Sequence, residues 1–291
     1  MTSTELPLAT KIALAYITTI VMLSFLAPII APFDPYDPIQ LQLKDGKLPP
    51  FWLQAESSPF ILGTDPQGRD MLSAVLFGCR LSILVALLAT FLTAVLGTIL
   101  GLLAGYFPRW LDTPISRLAE IQLTFPSILL AFLFNGLVRA AHPAGVSVET
   151  SIGIMVLAIA LADWPQFARV VRSATIVESG KEYILSAKIL GLPARLILAR
   201  HIFPNVVGTT NVVLVNCFVF AITTEATLSF LGQGIPLTQP SLGSLIRVGN
   251  EFMYSGLWWI LTFPTIVLVG LVFSCNLLSQ HLSNLFERRQ L

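Results

Sequence analysis

The chain of 291 residues is 55% hydrophobic and only 11% charged. With a mean hydropathy of +0.79, it is too apolar for an ordinary soluble domain. The formal net charge of +1 gives no indication of a nucleic-acid partner. The composition therefore predicts a membrane protein built from apolar helices.

Six segments are long and apolar enough to cross a bilayer, which needs roughly 20 residues per helix. They cover about residues 12–32, 81–106, 118–138, 151–168, 206–231 and 256–280. Pro126 and Pro264 lie inside the third and sixth segments, where we expect kinks because neighbouring helices can satisfy the freed carbonyls. Lys11 resembles the start of a signal peptide, but the apolar run after it is too long and lacks a small-residue cleavage site. We therefore expect the first span to be retained.

The segment between the first two spans, residues 33–80, is a large extramembrane piece. It begins PFDPYDPIQ, whose prolines favour extended and turn structure. After Gly68, apolar residues recur at helical spacing and predict a short amphipathic helix that leads into the second span. Those residues are Met71, Leu72, Val75 and Leu76. We divide the chain into residues 1–80, the first span with this segment, and residues 81–291, the membrane core, with a long loop at about 173–205.

A basic stretch, residues 163–205, separates the fourth and fifth spans. It holds six of the 17 Lys and Arg residues: Arg169, Arg172, Lys181, Lys188, Arg195 and Arg200. Basic loops stay on the cytoplasmic side of a membrane. If both termini are cytoplasmic, eleven Lys and Arg residues lie inside and six outside. The charge bias therefore predicts that orientation.

Two short helical patterns occupy this loop. Apolar residues recur along each: Tyr183, Ala187 and Leu190 in the first, and Leu196, Ala199 and Phe203 in the second. Between them, Gly191 can end a helix in the left-handed conformation and Pro193 can begin the next element. Such a pair can enter a groove of a partner protein or lie on the inner leaflet with its charges toward lipid headgroups. The pattern favours the docking interpretation and leaves the other open.

The polar residues give no sign of catalysis or metal binding. The cysteines and histidines show no ligand spacing: Cys79, Cys217, Cys275, His142, His201 and His281. No GxxxxGK[ST], HExxH or GxSxG motif occurs, so neither a Walker-type ATP site nor a protease site is indicated. Glu225 lies in the fifth span, where an ionisable residue either lines a pathway or bonds to a neighbouring helix.

Beyond these patterns, the loop sequence EYILSAKILG…RHIFPN, within residues 181–205, resembles the EAA loop of ATP-binding-cassette importer permeases of the dipeptide/oligopeptide/nickel family, which often reads EYVEAARALG…RHILPN. Six further blocks resemble the same family in the same order. They are LGTDPQGRD, FGCRLS, AGYFPRWLD, LTFPSILLA, WPQFARVVR and EATLSFLGQGIPLTQPSLG, between residues 62 and 243. The long segment before the GTD block looks most like the C-type of the family's two paired permease subunits.

The resemblance implies an all-α type I importer permease fold with six transmembrane helices and cytoplasmic coupling helices, in a bacterial inner membrane. The implied partners are a B-type permease subunit, two cytoplasmic ATP-binding subunits that hold ATP and Mg, an extracytoplasmic solute-binding protein and membrane lipid. No cofactor, metal or catalytic activity is implied for this chain, and no nucleic acid. The implied ATPase contacts are Glu182, Tyr183, Ser186, Ala187, Gly191, Arg195 and Arg200.

The loop also departs from the family pattern. Leu185 and Ser186 stand where the family has Glu and its first Ala, so a salt bridge from that Glu cannot form here. Either Glu182 substitutes for it or the contact is apolar. Glu225 falls in the family's EAxLSFLG block, which favours a structural role for it.

Function follows from the resemblance as an expectation. We expect a permease subunit that forms half of a pathway for short peptides or a similar small polar solute, with nickel chelates and opine-like compounds left open. No residue can be named as a substrate ligand. Two other classes stay open, an ion-coupled secondary carrier and a membrane scaffold without transport activity. Only the permease should copurify with ATPases and stimulate them.

Overall fold

A computed structural model describes residues 7–37, 43–53, 59–141, 147–236 and 238–290. The described residues are mostly helical, and their extended pairing is confined to an isolated bridge between Thr64 and Asp70. The α-helices are α1 (Leu8–Phe25), α2 (Ala27–Ile30), α3 (Met71–Tyr106), α4 (Asp112–Leu123), α5 (Ser127–Ala140), α6 (Val148–Ser179), α7 (Glu182–Ile189), α8 (Ala194–Ile197), α9 (Phe203–Phe230), α10 (Leu242–Phe252) and α11 (Trp258–Gln290).

Five helices in the described part of the chain are long and apolar enough to cross a membrane: α1, α3, α6, the Thr210–Phe230 part of α9, and α11. Helices α4 and α5 pass the same test as a pair, although they are bent by 95°. Counting that pair as one span confirms the expected six. Pro126 does not kink a single helix, because it precedes α5 and separates it from α4. The residue before a proline avoids the helical conformation, which explains a break at this position.

The short amphipathic helix expected before the second span is wrong as a separate element. It is the first part of α3, which runs for 36 residues from Met71 and crosses the proposed boundary at residue 80. Arg80 lowers the local hydropathy but does not end the helix. Gly78 lets α3 pass close to the chain before α10, since a Cβ there would lie 3.2 Å from the Pro240 carbonyl oxygen. Because of Arg80 and Gly78, the hydropathy pattern did not indicate that α3 already begins at Met71.

The fourth span is also longer than its hydropathy indicated. Helix α6 continues through Pro165 to Ser179, so the first residues of the predicted loop are helical. The second helical pattern of the loop is not a separate element either. Helix α8 runs into a π-helical turn, Leu198–Ile202, and then directly into α9. Of the two predicted short helices, only α7 is bounded by non-helical chain at both ends.

The most extensive packing in the bundle joins α3 to α6. Three glycines one helical turn apart on α3 face α6: Gly97, Gly101 and Gly105. A Cβ added at Gly101 would lie 2.6 Å from the Cβ of Val171, so the two backbones approach more closely than larger residues allow. Small residues at this spacing are typical of close helix packing in membranes.

The end of the bundle away from α7, here called the far end, carries a buried polar turn formed by residues 63–70. Asp70 caps α3 by accepting hydrogen bonds from the Ser73 backbone N–H at 2.8 Å and from its hydroxyl at 2.6 Å. Asp65 accepts backbone N–H bonds from Gln67 at 2.8 Å and Arg69 at 2.9 Å. Burial raises the pKa of Asp65 and of Asp70, and the hydrogen bonds each accepts oppose that shift.

The far end is also tied to α11 and holds Glu225. The Trp259 indole donates a hydrogen bond to the Thr64 carbonyl at 3.1 Å. The Glu225 side chain is buried near the end of α9 and accepts a hydrogen bond from the Ser229 hydroxyl at 2.7 Å. Its position inside the chain's own packing supports the structural interpretation of Glu225.

Candidate coupling site

Helix α7 is fixed to the bundle by one buried face. Ile184 is fully buried and Ala187 is 7% exposed. Both belong to a hydrophobic cluster with Phe167 and Val171 of α6, separate from the larger core near the far end. The predicted stripe of Tyr183, Ala187 and Leu190 is therefore not one surface, because Ala187 packs on α6 whereas Leu190 is 79% exposed. The α7 helix has eight residues, too few for its apolar spacing alone to identify the buried face.

The second predicted stripe, unlike the first, lies entirely on an exposed surface. Leu196, Ala199 and Phe203 are exposed, whereas Ile197 and Ile202 are buried in the same cluster as Ile184. Residues five apart do not share a face of an α-helix, but they do across a π turn. The π turn at Leu198–Ile202 therefore rotates the segment relative to the α-helical register.

The turn after α7 has the expected geometry. Gly191 has φ of +78°, in the left-handed region, and Pro193 stands at the N-cap of α8. The Gly191 N–H donates to the Lys188 carbonyl at 3.0 Å, and the Leu192 N–H donates to the Ala187 carbonyl at 3.2 Å. These two bonds define a Schellman motif, in which glycine is favoured at the left-handed position. The prediction that Gly191 ends the helix is confirmed.

A polar network joins α6, α7 and α9 at the start of α7. The Tyr183 hydroxyl donates a short hydrogen bond to the Glu178 carboxylate and accepts one from Asn205 Nδ2 at 3.0 Å. Lys181 lies 2.7 Å from the other Glu178 oxygen. Partial burial and the bond to Glu178 raise the pKa of Tyr183. Tyr183 therefore holds α7 in place, and Glu178 and Asn205 are parts of this network that the sequence did not reveal.

A further contact ties α7 to α3. The Lys188 ammonium lies 5.0 Å from the centre of the Tyr106 ring, at the end of α3. A cation over an aromatic face is attracted by the ring quadrupole. Together with the cluster and the polar network, this contact makes α7 part of a rigid unit with the ends of α3, α6 and α9.

The opposite face of α7 is exposed. Residues at i, i+3, i+4 and i+7 form one helical face, and here these residues are Glu182, Leu185, Ser186 and Ile189. Ile189 is 86% exposed. This set, called the outward face below, combines two large apolar side chains with one acid and one hydroxyl. The ATPase contacts predicted from the sequence include Glu182 and Ser186 of this face but not Ile189.

The other predicted contact residues divide between exposed and buried positions. Gly191, Arg195 and Arg200 are exposed on the same end of the bundle as the outward face. Ala187 packs inward, so its small size serves the fit of α7 on α6.

Within the described ranges, no three His, Cys, Asp or Glu side chains are grouped so that they could hold a metal ion. His142 lies outside the described residues. The three cysteines are buried as free thiols.

Comparisons with known proteins agree on one kind of protein. A family model described as "Binding-protein-dependent transport system inner membrane component" matches residues 97–291. A dipeptide transport system permease protein of Haemophilus influenzae is 33% identical over 276 residues, 95% of this chain and 89% of that protein. A di/tripeptide transport system permease protein of Pseudomonas aeruginosa is 30% identical over 275 residues, 94% of this chain and 86% of that protein.

A solved structure gives a similar result for the fold. A crystal structure of an amino acid ABC transporter with histidines aligns with a TM-score of 0.53 at 18% identity. The alignment covers 75% of this chain and 94% of that one. At this identity the likeness concerns the arrangement of the helices alone.

Proposed function

Because this chain belongs to the family of binding-protein-dependent transport system inner membrane components, we propose that it forms half of a membrane pathway for short peptides. It is a multi-pass, non-catalytic permease subunit of an ATP-binding-cassette importer. This family assignment decides against a secondary carrier and against a scaffold. Peptide cargo is supported by relatives named for dipeptide or di/tripeptide transport, which match nearly the whole chain.

We further propose a complete assembly of this chain, a B-type permease subunit, two cytoplasmic ATPases and an extracytoplasmic binding protein. Neither permease chain encloses the pathway alone. Cargo choice then rests mainly on the binding protein. Purifying that protein and identifying its bound solute tests the cargo, and a nickel chelate in place of a peptide would contradict it.

The outward face of α7 carries the coupling proposal. A helix held rigidly on three neighbours, with exposed Leu185 and Ile189 around Glu182 and Ser186, suits a groove in an ATPase. Because the family's Glu is replaced by Leu185, this contact is mainly apolar, with Glu182, Arg195 and Arg200 at its edge. Gly191 provides the turn that presents this face, and Tyr183 and Ala187 hold it from behind.

Ile189→Glu tests the coupling face. A charge in the centre of an apolar contact disfavours binding, so the variant permease should insert and fold normally but lose its ATPases on purification. Ile61→Glu is the matched control, since Ile61 is also exposed but lies at the far end. ATPase content is measured by quantitative gel analysis after affinity purification. Equal ATPase content in Ile189→Glu and wild type would contradict this coupling face.

The proposed orientation places α7 in the cytoplasm together with both termini. A cysteine replacing Lys47, which is exposed near the far end, should react with an impermeant thiol reagent from outside intact cells. A cysteine replacing Arg195 should react only after the membrane is opened. The opposite labelling pattern would overturn the orientation.

A further inference from the structure

Gln122, near the end of α4, is hydrogen-bonded into α6. Its Nε2 donates to the Leu161 carbonyl at 2.6 Å and to the Ala162 carbonyl at 3.2 Å. Its Oε1 accepts a hydrogen bond from the Trp164 indole at 3.1 Å. An indole N–H can only donate and a carbonyl can only accept, so this amide has one possible orientation. Both the nitrogen and the oxygen of Gln122 are therefore engaged with α6.

Pro165 explains why α6 needs these donors. Proline has no backbone N–H, so the Leu161 carbonyl four residues earlier lacks its usual partner within the helix. A carbonyl inside a membrane must find another donor, because lipid offers none. Gln122 supplies that donor from a different helix. The backbone bonding of α6 at its proline thus depends on α4.

A second contact fixes α4 along the same helix. Arg172 Nε and Nη2 donate to the two Asp112 oxygens at 2.5 and 2.8 Å. Asp112 and Gln122 lie about 15 Å apart along α4, and Leu161 and Arg172 lie about as far apart along α6, at 1.5 Å per residue. The two contacts therefore hold α4 antiparallel to α6 over its full length.

The two ends of the α4–α6 pair are connected to different elements of the chain. Beyond Gln122 the chain turns by 95° into α5, and beyond Arg172 helix α6 leads to α7. We propose that Gln122 is a positioning residue that links the break between α4 and α5 to movement of α7. This inference rests on the proposed function. When the ATPases move α7 and α6, Gln122 carries the end of α4 with them, and the angle at the break changes the shape of the pathway.

Gln122→Leu tests the link in the full transporter, reconstituted in lipid vesicles with its paired permease, ATPases and binding protein. The probe is a radiolabelled dipeptide, and the readout is dipeptide taken up per ATP hydrolysed. We expect normal assembly but about a tenfold lower ratio, since the loss of these hydrogen bonds frees the Gln122 end of α4 from α6, while Arg172 still holds the Asp112 end. Gln166→Leu is the matched control, because Gln166 is an exposed glutamine of α6, the helix that Gln122 contacts.

A second variant separates positioning from simple structural repair. Pro165→Ala restores an N–H that can bond the Leu161 carbonyl within α6. Gln122→Leu combined with Pro165→Ala should therefore regain part of the lost thermal stability but keep the low uptake ratio, because the Gln122 end of α4 is still unlinked. Recovery of the uptake ratio in the double variant would overturn the proposal, and so would a wild-type ratio in Gln122→Leu alone.

The same experiment distinguishes this inference from the proposed function. If the wild-type assembly shows neither dipeptide uptake nor ATPase stimulation by the loaded binding protein, the proposed function fails and the role of Gln122 fails with it. If the wild type transports dipeptide and Gln122→Leu matches it, only the role of Gln122 is lost.

Discussion

The far end and the α7 end of this bundle differ in the burial of their polar and apolar side chains. At the far end, Thr64, Asp65 and Asp70 are buried and find hydrogen-bond partners within the chain. At the α7 end, Leu185 and Ile189 are exposed, and charged side chains lie around them. The buried polar turn of the far end therefore finds its partners within this chain, whereas we propose that the outward face of α7 is covered by an ATPase. Substitutions at the two ends should consequently differ in whether their effect depends on a partner.

The largest effect is expected where α7 meets its own chain. Ile184→Ala removes a fully buried side chain from the cluster that holds α7, and such truncations cost about 2–5 kcal/mol. The free energy of unfolding should fall in the isolated permease. Ile189→Ala on the outward face is the matched control and should leave it unchanged. Chemical denaturation in detergent micelles measures the free energy of unfolding of both variants. Equal losses would contradict the assignment of Ile184 to the buried face and Ile189 to the exposed face.

At the far end, Asp70→Ala should have the next largest effect. It removes the cap of α3 and both hydrogen bonds to Ser73, and loss of such a cap costs about 0.5–2 kcal/mol. The loss should be the same with and without the ATPases, as measured by thermal unfolding in lipid nanodiscs. The exposed Glu251 serves as the control acid, and Glu251→Ala should shift the midpoint little. If adding the ATPases restored the lost thermal stability, the effect would depend on a partner and the prediction would be wrong.

Gly191→Ala should have an effect of similar size, but one that depends on the partner. Alanine in the left-handed region costs roughly 1–2 kcal/mol, and nothing packs within 4 Å of a Cβ at this position. The strain should therefore tilt α7 without creating a clash. We expect ATPase stimulation by the binding protein to fall while the permease stays folded. Gly180→Ala, at the other end of α7, where φ is −85°, should have no such effect.

The smallest effect is a pH dependence at the far end. Because burial raises the pKa of Asp65 above its ordinary value of 3.8, the folded state binds this proton more tightly than the unfolded state. The associated stability is present at low pH and is lost as the pH rises through the folded pKa. Wild type should therefore gain stability relative to Asp65→Asn as the pH falls from 7 toward 4. Denaturation midpoints of both proteins across that range measure the difference, and a gain toward higher pH would contradict it.

Much of this architecture follows from local sequence rules. The six apolar segments, the left-handed position at Gly191 and the start of an element at Pro193 each depend on a few neighbouring residues, and the structure contains all of them. The confirmed family assignment likewise came from short blocks in a fixed order. These features needed no knowledge of which helices touch.

The failures share a physical cause, which is tertiary contact. The buried face of α7 was missed because Ile184 is selected by the shape of α6, and the register of Ile197 and Ile202 depends on a π turn that hydropathy does not reveal. Pro126 and Pro165 look alike in the sequence, yet one ends a helix and the other does not. In α6 the carbonyl left free by Pro165 is bonded by Gln122, which is 39 residues from Leu161 along the chain.

The glycine row on α3 has a mechanical consequence. Gly97, Gly101 and Gly105 bring the backbone of α3 against side chains of α6 with no α3 side chain in between, and they do so between Pro165 and α7. Sliding along this seam would drive the Cβ atoms of α6 into the α3 backbone. The parts of α3 and α6 between Pro165 and α7 therefore move as one rigid body. Conformational change during transport must then occur at contacts between other helices.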